Sequence, residues 1–263
     1  MWLHSLNRCD QPPWEIASLA FNEAAPAVRL QGVRQANPLL FDRLAQLAEP
    51  GARVRQLHDY MDVRFQLHQW QTQGSRASQK SLKNSYLRFL RGWMFDANSQ
   101  EGAVLKGWVE SRFGLPPTFH RQRITDFNCP AYQAYLCDRV RGAARTSAIF
   151  DQLDLLYEFV QQELPCRDPS RHRVLYRGVN DLAEHPLVEQ AGPHRLVLQL
   201  NNLNSFTSSY ERAWEFGSRV LVAQVPCCKI FFQAELFPSA LLRGEDEVLV
   251  IGGLYAVELS RGA

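Results

Sequence analysis

Apolar side chains recur at three- and four-residue steps through most of the first 165 residues of this 263-residue chain. The clearest run is Thr146 to Leu164, where Ile149, Phe150, Leu153, Leu156, Phe159 and Val160 mark one face of a helix. Thr146 or Ser147 is available there as N-cap, and Pro165 as the stop. Similar spacing predicts helices in Leu39 to Leu47, Leu82 to Trp93 and Val104 to Phe113, with Gly32, Pro38, Pro50-Gly51, Gly74 and Pro116-Pro117 breaking them apart. Past the Pro- and charge-rich stretch Pro165 to Ser170 the pattern shortens into β-rich runs: Arg173 to Val179, Arg195 to Leu200, Val220 to Val225, Lys229 to Phe232 and Val248 to Leu259. Turns at Gly192-Pro193, Pro226 and Gly244 punctuate them. The expectation is an α+β chain, with a mainly helical region over residues 1–165 and a β-rich core over residues 172–260, joined in one compact unit. No internal repeat or low-complexity tract interrupts it.

Composition narrows the function classes. With 46% hydrophobic and 21% charged residues, the chain is neither disordered nor fibrous. A net charge of +2 gives no general case for nucleic-acid binding, and none is expected. The charge is uneven: through Glu163 there are 19 basic and 16 acidic residues, or +3, and after it 10 and 11, or −1. No acid lies between Asp62 and Asp96, whereas Arg64, Arg76, Lys80, Lys83, Arg88 and Arg91 do. That run is either a solvated helix face or a docking patch for an acidic partner. The first ten residues lack the basic cluster and apolar run of a secretory signal, so export is not expected. Val248 to Val257, the longest nearly uncharged apolar stretch, is roughly half of what a membrane-spanning helix needs, so no membrane span is expected. The six cysteines form no CxxC pair, and Cys227 and Cys228, read as strand residues, would face opposite ways. They read as reduced thiols of a cytoplasmic protein. The seven histidines show no metal-ligand spacing, so no metal is expected.

Three segments of the β-rich part carry candidate chemistry. In Leu175-Tyr176-Arg177-Gly178-Val179, an arginine ending an apolar strand can grip a phosphate bidentately, and Gly178 would let a ligand approach the backbone. By itself the arginine is more often a structural ion-pair residue. In Asn201 to Ser209 a run of amides and hydroxyls can fix a carboxylate or a ribose, or can be a polar turn capping a helix over Glu211 to Phe216. In Arg243-Gly244-Glu245-Asp246-Glu247, strand geometry would put Glu245 and Glu247 on one face and turn Asp246 away. Such a pair can hold one raised carboxyl pKa, or can be a solvated hairpin edge.

Taken in order, Arg177, Ser205 and Glu245-x-Glu247, separated by 28 and 42 residues, resemble the R-S-E class of ADP-ribosyltransferases. The stretches Ser85 to Arg88, Arg91 to Asp96, Glu101 to Gly114, Gln152 to Phe159, Leu175 to Asp181, Leu200 to Thr207 and Glu247 to Gly253 are similar to the dinitrogenase reductase ADP-ribosyltransferases of nitrogen-fixing bacteria, and this resemblance extends into the helical part. It implies a split β-sandwich core that binds NAD as co-substrate, with Arg177 and Gly178 at the pyrophosphate or ribose. It makes Ser205, with Thr207, the residues that orient the catalytic Glu247. Ser208 competes for the serine role, because wider relatives read Ser-Thr-Ser where this chain reads Ser-Phe-Thr. Glu245 is then the carboxylate that orients an acceptor arginine and takes its proton. Phe231 and Phe232 are candidates to stack on nicotinamide, or else pack the core. The implied target is the nitrogenase iron protein and the implied regulator a PII-type nitrogen signal protein. An NAD glycohydrolase, a transferase with another protein target and a non-catalytic NAD-sensing module are the alternatives.

Overall fold

A computed structural model describes residues 3–4, 6–67, 85–143, 148–237 and 246–261. The chain begins with α1 (Pro13–Ile16), α2 (Leu19–Glu23), α3 (Val33–Ala36), α4 (Pro38–Gln46) and α5 (Pro50–Phe65). Pro38 and Pro50 start helices rather than break them, because a first-turn residue has no intrahelical use for its N–H. Next come α6 (Tyr86–Phe95) and α7 (Gln100–Phe113). The Ser85 hydroxyl caps α6 by accepting the Leu87 amide, and the Ser99 hydroxyl caps α7 by accepting that of Gly102. Gly114, at φ 69°, closes α7 in the left-handed conformation. A two-stranded hairpin, β1 (Phe119–His120) with β2 (Gln122–Arg123), leads to α8 (Pro130–Ala143) and α9 (Ile149–Arg167).

Two expectations about α9 change. The helix does not stop at Pro165, since the ring removes one ladder bond while the Asp168 amide still closes onto the Leu164 carbonyl. A Glu163–Arg167 ion pair one turn apart spans the proline. The N-cap is Ala148, with no side-chain cap, and Thr146 and Ser147 lie outside the described residues.

After α9 come β3 (His172–Val179), β4 (Leu187–Gln190), β5 (Arg195–Thr207), α10 (Tyr210–Ala213), β6 (Arg219–Pro226), β7 (Ile230–Gln233) and β8 (Glu247–Arg261). The six strands pair antiparallel in one network. Its spine is β5 on β8, in register from Arg195 opposite Glu258 to Thr207 opposite Glu247. One end of the spine is bordered by β4 and by β6, which carries β3; the other is bordered by β7 and by Tyr176 of β3, opposite Thr207. The neighbours therefore change along the same two long strands.

The change coincides with a bulge. Asn201 and Asn202 together oppose Gly252, and a Cβ there would lie 1.7 Å from the Asn201 carbonyl oxygen. Asn201 to Thr207, beyond the strand end expected at Leu200, is thus the second half of β5. Its asparagines are buried braces: Asn202 Nδ2 donates to the carbonyls of Lys106 (2.8 Å) and Leu115 (2.9 Å), and Asn201 Nδ2 to that of Phe119 (2.9 Å). They tie the end of α7 to the sheet. β4 and the short hairpin, absent from the sequence expectation, complete the strands. Cys227 and Cys228 belong to a single 3-10 turn between β6 and β7 rather than to a strand, and all six cysteines are free.

One apolar cluster runs from α4, α6, α7 and α9 into β3, β5, β6, β7 and β8. α7, enclosed by neighbours on most sides, buries Val104, Leu105, Trp108 and Val109 completely. Tyr157 on α9 donates to the Cys228 carbonyl at 2.8 Å, and Gln161 Nε2 to that of Ile230 at 2.8 Å, so α9 grips the β6–β7 turn. Among the described residues no helix is long and apolar enough to cross a membrane.

Candidate active site

The ends of β3, β5 and β8 converge on a cleft of about 260 Å³, lined by Tyr176, Arg177, Gly178, Ser205, Thr207 and Glu247 among others. The convergence follows from register. Ser205 is opposite Leu249, so Glu247 is its diagonal neighbour on the same face, and Thr207 is directly across from Glu247. Three polar side chains from two strands thereby share one face at the mouth of the sheet.

Glu247 is 5% exposed. The Ser205 hydroxyl donates to its Oε1 at 2.6 Å and accepts from the Trp93 indole N–H at 2.8 Å. Thr207 Oγ1 instead accepts the Ser209 amide at 3.1 Å, holding the turn into α10, whose first amides are capped by Ser209. Ser208 is exposed. The geometry therefore joins Ser205, not Ser208, to Glu247. The helix expected over Glu211 to Phe216 is α10 followed by one 3-10 turn.

Arg177 is oriented on three sides. Its Nη1 donates to the Ser205 carbonyl at 2.8 Å, its Nε to His185 Nε2 at 3.2 Å, and its Nη2 lies 3.7 Å from Glu184 Oε2. Burial lowers the guanidinium from its ordinary pKa, opposed by the charges of Glu184 and Glu247, and it stays cationic at neutral pH. Burial, then the adjacent Arg177 charge, push His185 down to about 3. The imidazole is thus neutral, with Nε2 as acceptor and the proton on Nδ1. A partly buried cation beside a buried carboxylate suits a ligand with both an anionic group and a centre that turns positive during reaction.

Gly178 lines the cleft and is also needed by the protein itself: a Cβ there would lie 2.0 Å from the Ala213 carbonyl oxygen and 3.0 Å from the Gly217 nitrogen. Phe231 and Phe232 do not line the cleft: both are fully buried, Phe231 4.6 Å from the Trp108 ring and Phe232 5.3 Å from that of Phe237. The aromatics that do line it are Tyr176, Phe206 and Phe216, of which Phe216 is 52% exposed, with Met94 of α6 also present. Asp246 has left-handed backbone (φ 42°) and its carboxylate lies 3.4 Å from Arg212 Nε. Glu245 lies outside the described residues.

His185 and Glu184 are participants that the sequence motifs omit, and Trp93 falls within the Arg91 to Asp96 stretch with no role assigned to it. His185 follows Arg177 by eight residues with no recognisable spacing, and nothing in sequence links position 93 to position 205. Of the basic run, Arg88 is tied to Glu101 at 2.7 Å and Arg64 to the Asn37 side chain, while Arg76, Lys80 and Lys83 lie outside the described residues. Among the described residues no group of three or more histidine, cysteine or acidic side chains is placed to hold a metal.

The family model for dinitrogenase reductase ADP-ribosyltransferase matches residues 6–259. The NAD(+)–dinitrogen-reductase ADP-D-ribosyltransferase of Rhodospirillum rubrum is 42% identical over 262 residues, a match covering 98% of this chain and 95% of that protein. No solved structure matches the chain.

Proposed function

The chain belongs to the dinitrogenase reductase ADP-ribosyltransferase family, and from that premise we propose that it transfers ADP-ribose from NAD to an arginine of dinitrogenase reductase, the nitrogenase iron protein, and so restrains nitrogen fixation. The observation that carries the site assignment is the buried Glu247 carboxylate held by Ser205, in one cleft with Arg177.

In the proposed reaction Arg177, which lines the cleft, binds the NAD pyrophosphate or adjacent ribose as a fixed cation. Cleaving the bond between nicotinamide and ribose leaves its electron pair on the ring nitrogen, so nicotinamide departs neutral and no strong general acid is required. Positive charge builds on the ribose instead. Glu247, fixed in place before reaction, stabilises that charge where it develops. The acceptor guanidinium is protonated at neutral pH and becomes nucleophilic as a carboxylate takes its proton during bond formation, a role given to Glu245. Phe216 is placed to cover the nicotinamide or the acceptor at the mouth of the cleft.

The finer biology follows the same premise: a cytoplasmic enzyme controlled by a PII-type nitrogen signal protein, with the helical part and its basic run from Arg64 to Arg91 as the contact surface. Mapping the product tests the chemistry. Dinitrogenase reductase incubated with NAD and this protein should gain one ADP-ribose on an arginine by mass spectrometry. Attachment to another residue type, or free ADP-ribose without labelled protein, would contradict the transfer assigned here.

A further inference from the structure

Trp93 reaches the site from α6, 112 residues before the serine it touches. Its role follows from donor and acceptor counting. An indole N–H can only donate, an ionised carboxylate can only accept, and a serine hydroxyl has one hydrogen to give. Ser205 Oγ stands 2.8 Å from Trp93 Nε1 and 2.6 Å from Glu247 Oε1. The indole takes an oxygen lone pair, so the hydroxyl hydrogen has one partner left, the Glu247 carboxylate. The sequence of bonds is directional, from Trp93 through Ser205 to Glu247.

The indole is itself fixed. Trp93 is 3% exposed. α6 lies close against α7 at Gly92, where a Cβ would lie 2.5 Å from Glu101 Cβ, and the Arg88–Glu101 pair joins the same two helices. The ammonium of Lys106, buried on α7, stands 5.8 Å from the Trp93 ring centroid and donates to Asn98 Oδ1 and the Phe119 carbonyl, each at 3.0 Å. That anchors the segment following α6. A donor held this rigidly loses little freedom on bonding Ser205.

We infer that Trp93 is a positioning residue of the transfer reaction: its N–H sets the polarity of the Ser205 hydroxyl and, through it, holds the Glu247 carboxylate in one orientation. The helical part thereby completes the catalytic constellation in addition to any docking role. The inference rests on the proposed transferase function.

Trp93→Phe keeps a large aromatic ring and removes the N–H. Measured as nicotinamide release from NAD with dinitrogenase reductase present, kcat should fall about 10-fold, with KM for NAD changed less than about twofold. Trp93→Phe should add almost nothing in a Ser205→Ala background. A general packing defect would repeat its full effect in that background, and that result would overturn the inference. Wild-type turnover unaltered by Trp93→Phe would also overturn it, leaving the transferase function intact. No turnover by the wild type with dinitrogenase reductase would remove the function, and the inference with it.

Discussion

At the scale of single residues, the site is a problem of aiming a carboxylate. Ser205 aims Glu247, and Arg177 is aimed by His185 and by the Ser205 carbonyl. Three strands and two hydrogen bonds, both made by Ser205, thus couple the group that would bind NAD to the group that would act on it. The two serines that compete in sequence separate here, since Ser205 is bonded to Glu247 and Ser208 is exposed. Ser205→Ala should lower turnover by about 10-fold or more, the cost of losing a hydrogen bond to a charged group, while Ser208→Ala stays within about twofold of wild type. Steady-state kinetics of both variants decide it; a larger defect in Ser208→Ala would reverse the assignment. Arg177, Ser205 and Glu247 were legible because each sits in a short motif with a familiar order. Trp93 and His185 were not, because their roles depend on where strands and helices bring them in space. The Phe231-Phe232 pair shows the opposite failure: a suggestive aromatic motif that burial assigns to the core.

At the scale of elements, helices were more legible than strands. Apolar periodicity located α4, α7 and α9, but it misjudged proline, which opens α4 and α5 and sits inside the last turn of α9. The second half of β5 was hidden because asparagine is a poor strand former, and these asparagines are kept for bonds to the end of α7 that sequence does not display. Glycine was legible as a close approach, but not as an approach of which group. At Gly178 it is the Ala213 carbonyl and the Gly217 amide, so β3 and the segment after α10 are fitted to each other beside the cleft. Gly178→Ala should displace that backbone, lowering stability by about 1–3 kcal/mol and raising KM for NAD. Chemical denaturation and NAD kinetics check both, and a fully stable variant with unchanged KM would show that the segment yields without disturbing the site.

For the whole molecule, helices and sheet share one main core, and the site depends on both. The α5–α9 tie shows how tightly the helical part is built. Arg53 forms a bidentate pair with Glu163 at 2.6 and 2.9 Å and also donates to the carbonyls of Leu47 and Ala48. Burial raises the Glu163 carboxyl, but the bonds from Arg53 and Arg167 outweigh it and hold the group below its ordinary range. A carboxyl depressed in the folded state contributes stability above its unfolded pKa and loses it as pH falls through the folded value. Arg53→Leu should therefore cost about 3–5 kcal/mol at neutral pH and flatten part of the acid-induced loss of stability. Denaturation at several pH values would show both effects; an unchanged acid limb would remove the pair as its source.

The central claim is that Glu247, aimed by Ser205, drives ADP-ribose transfer to dinitrogenase reductase. Its most direct measurement compares wild type with Glu247→Gln, incubated with NAD labelled in the adenylate part and purified dinitrogenase reductase. Wild type should label the reductase and Glu247→Gln should lose labelling on the order of 10²-fold or more, while both proteins unfold at the same temperature. Equal labelling by the two, or none by wild type, would contradict it.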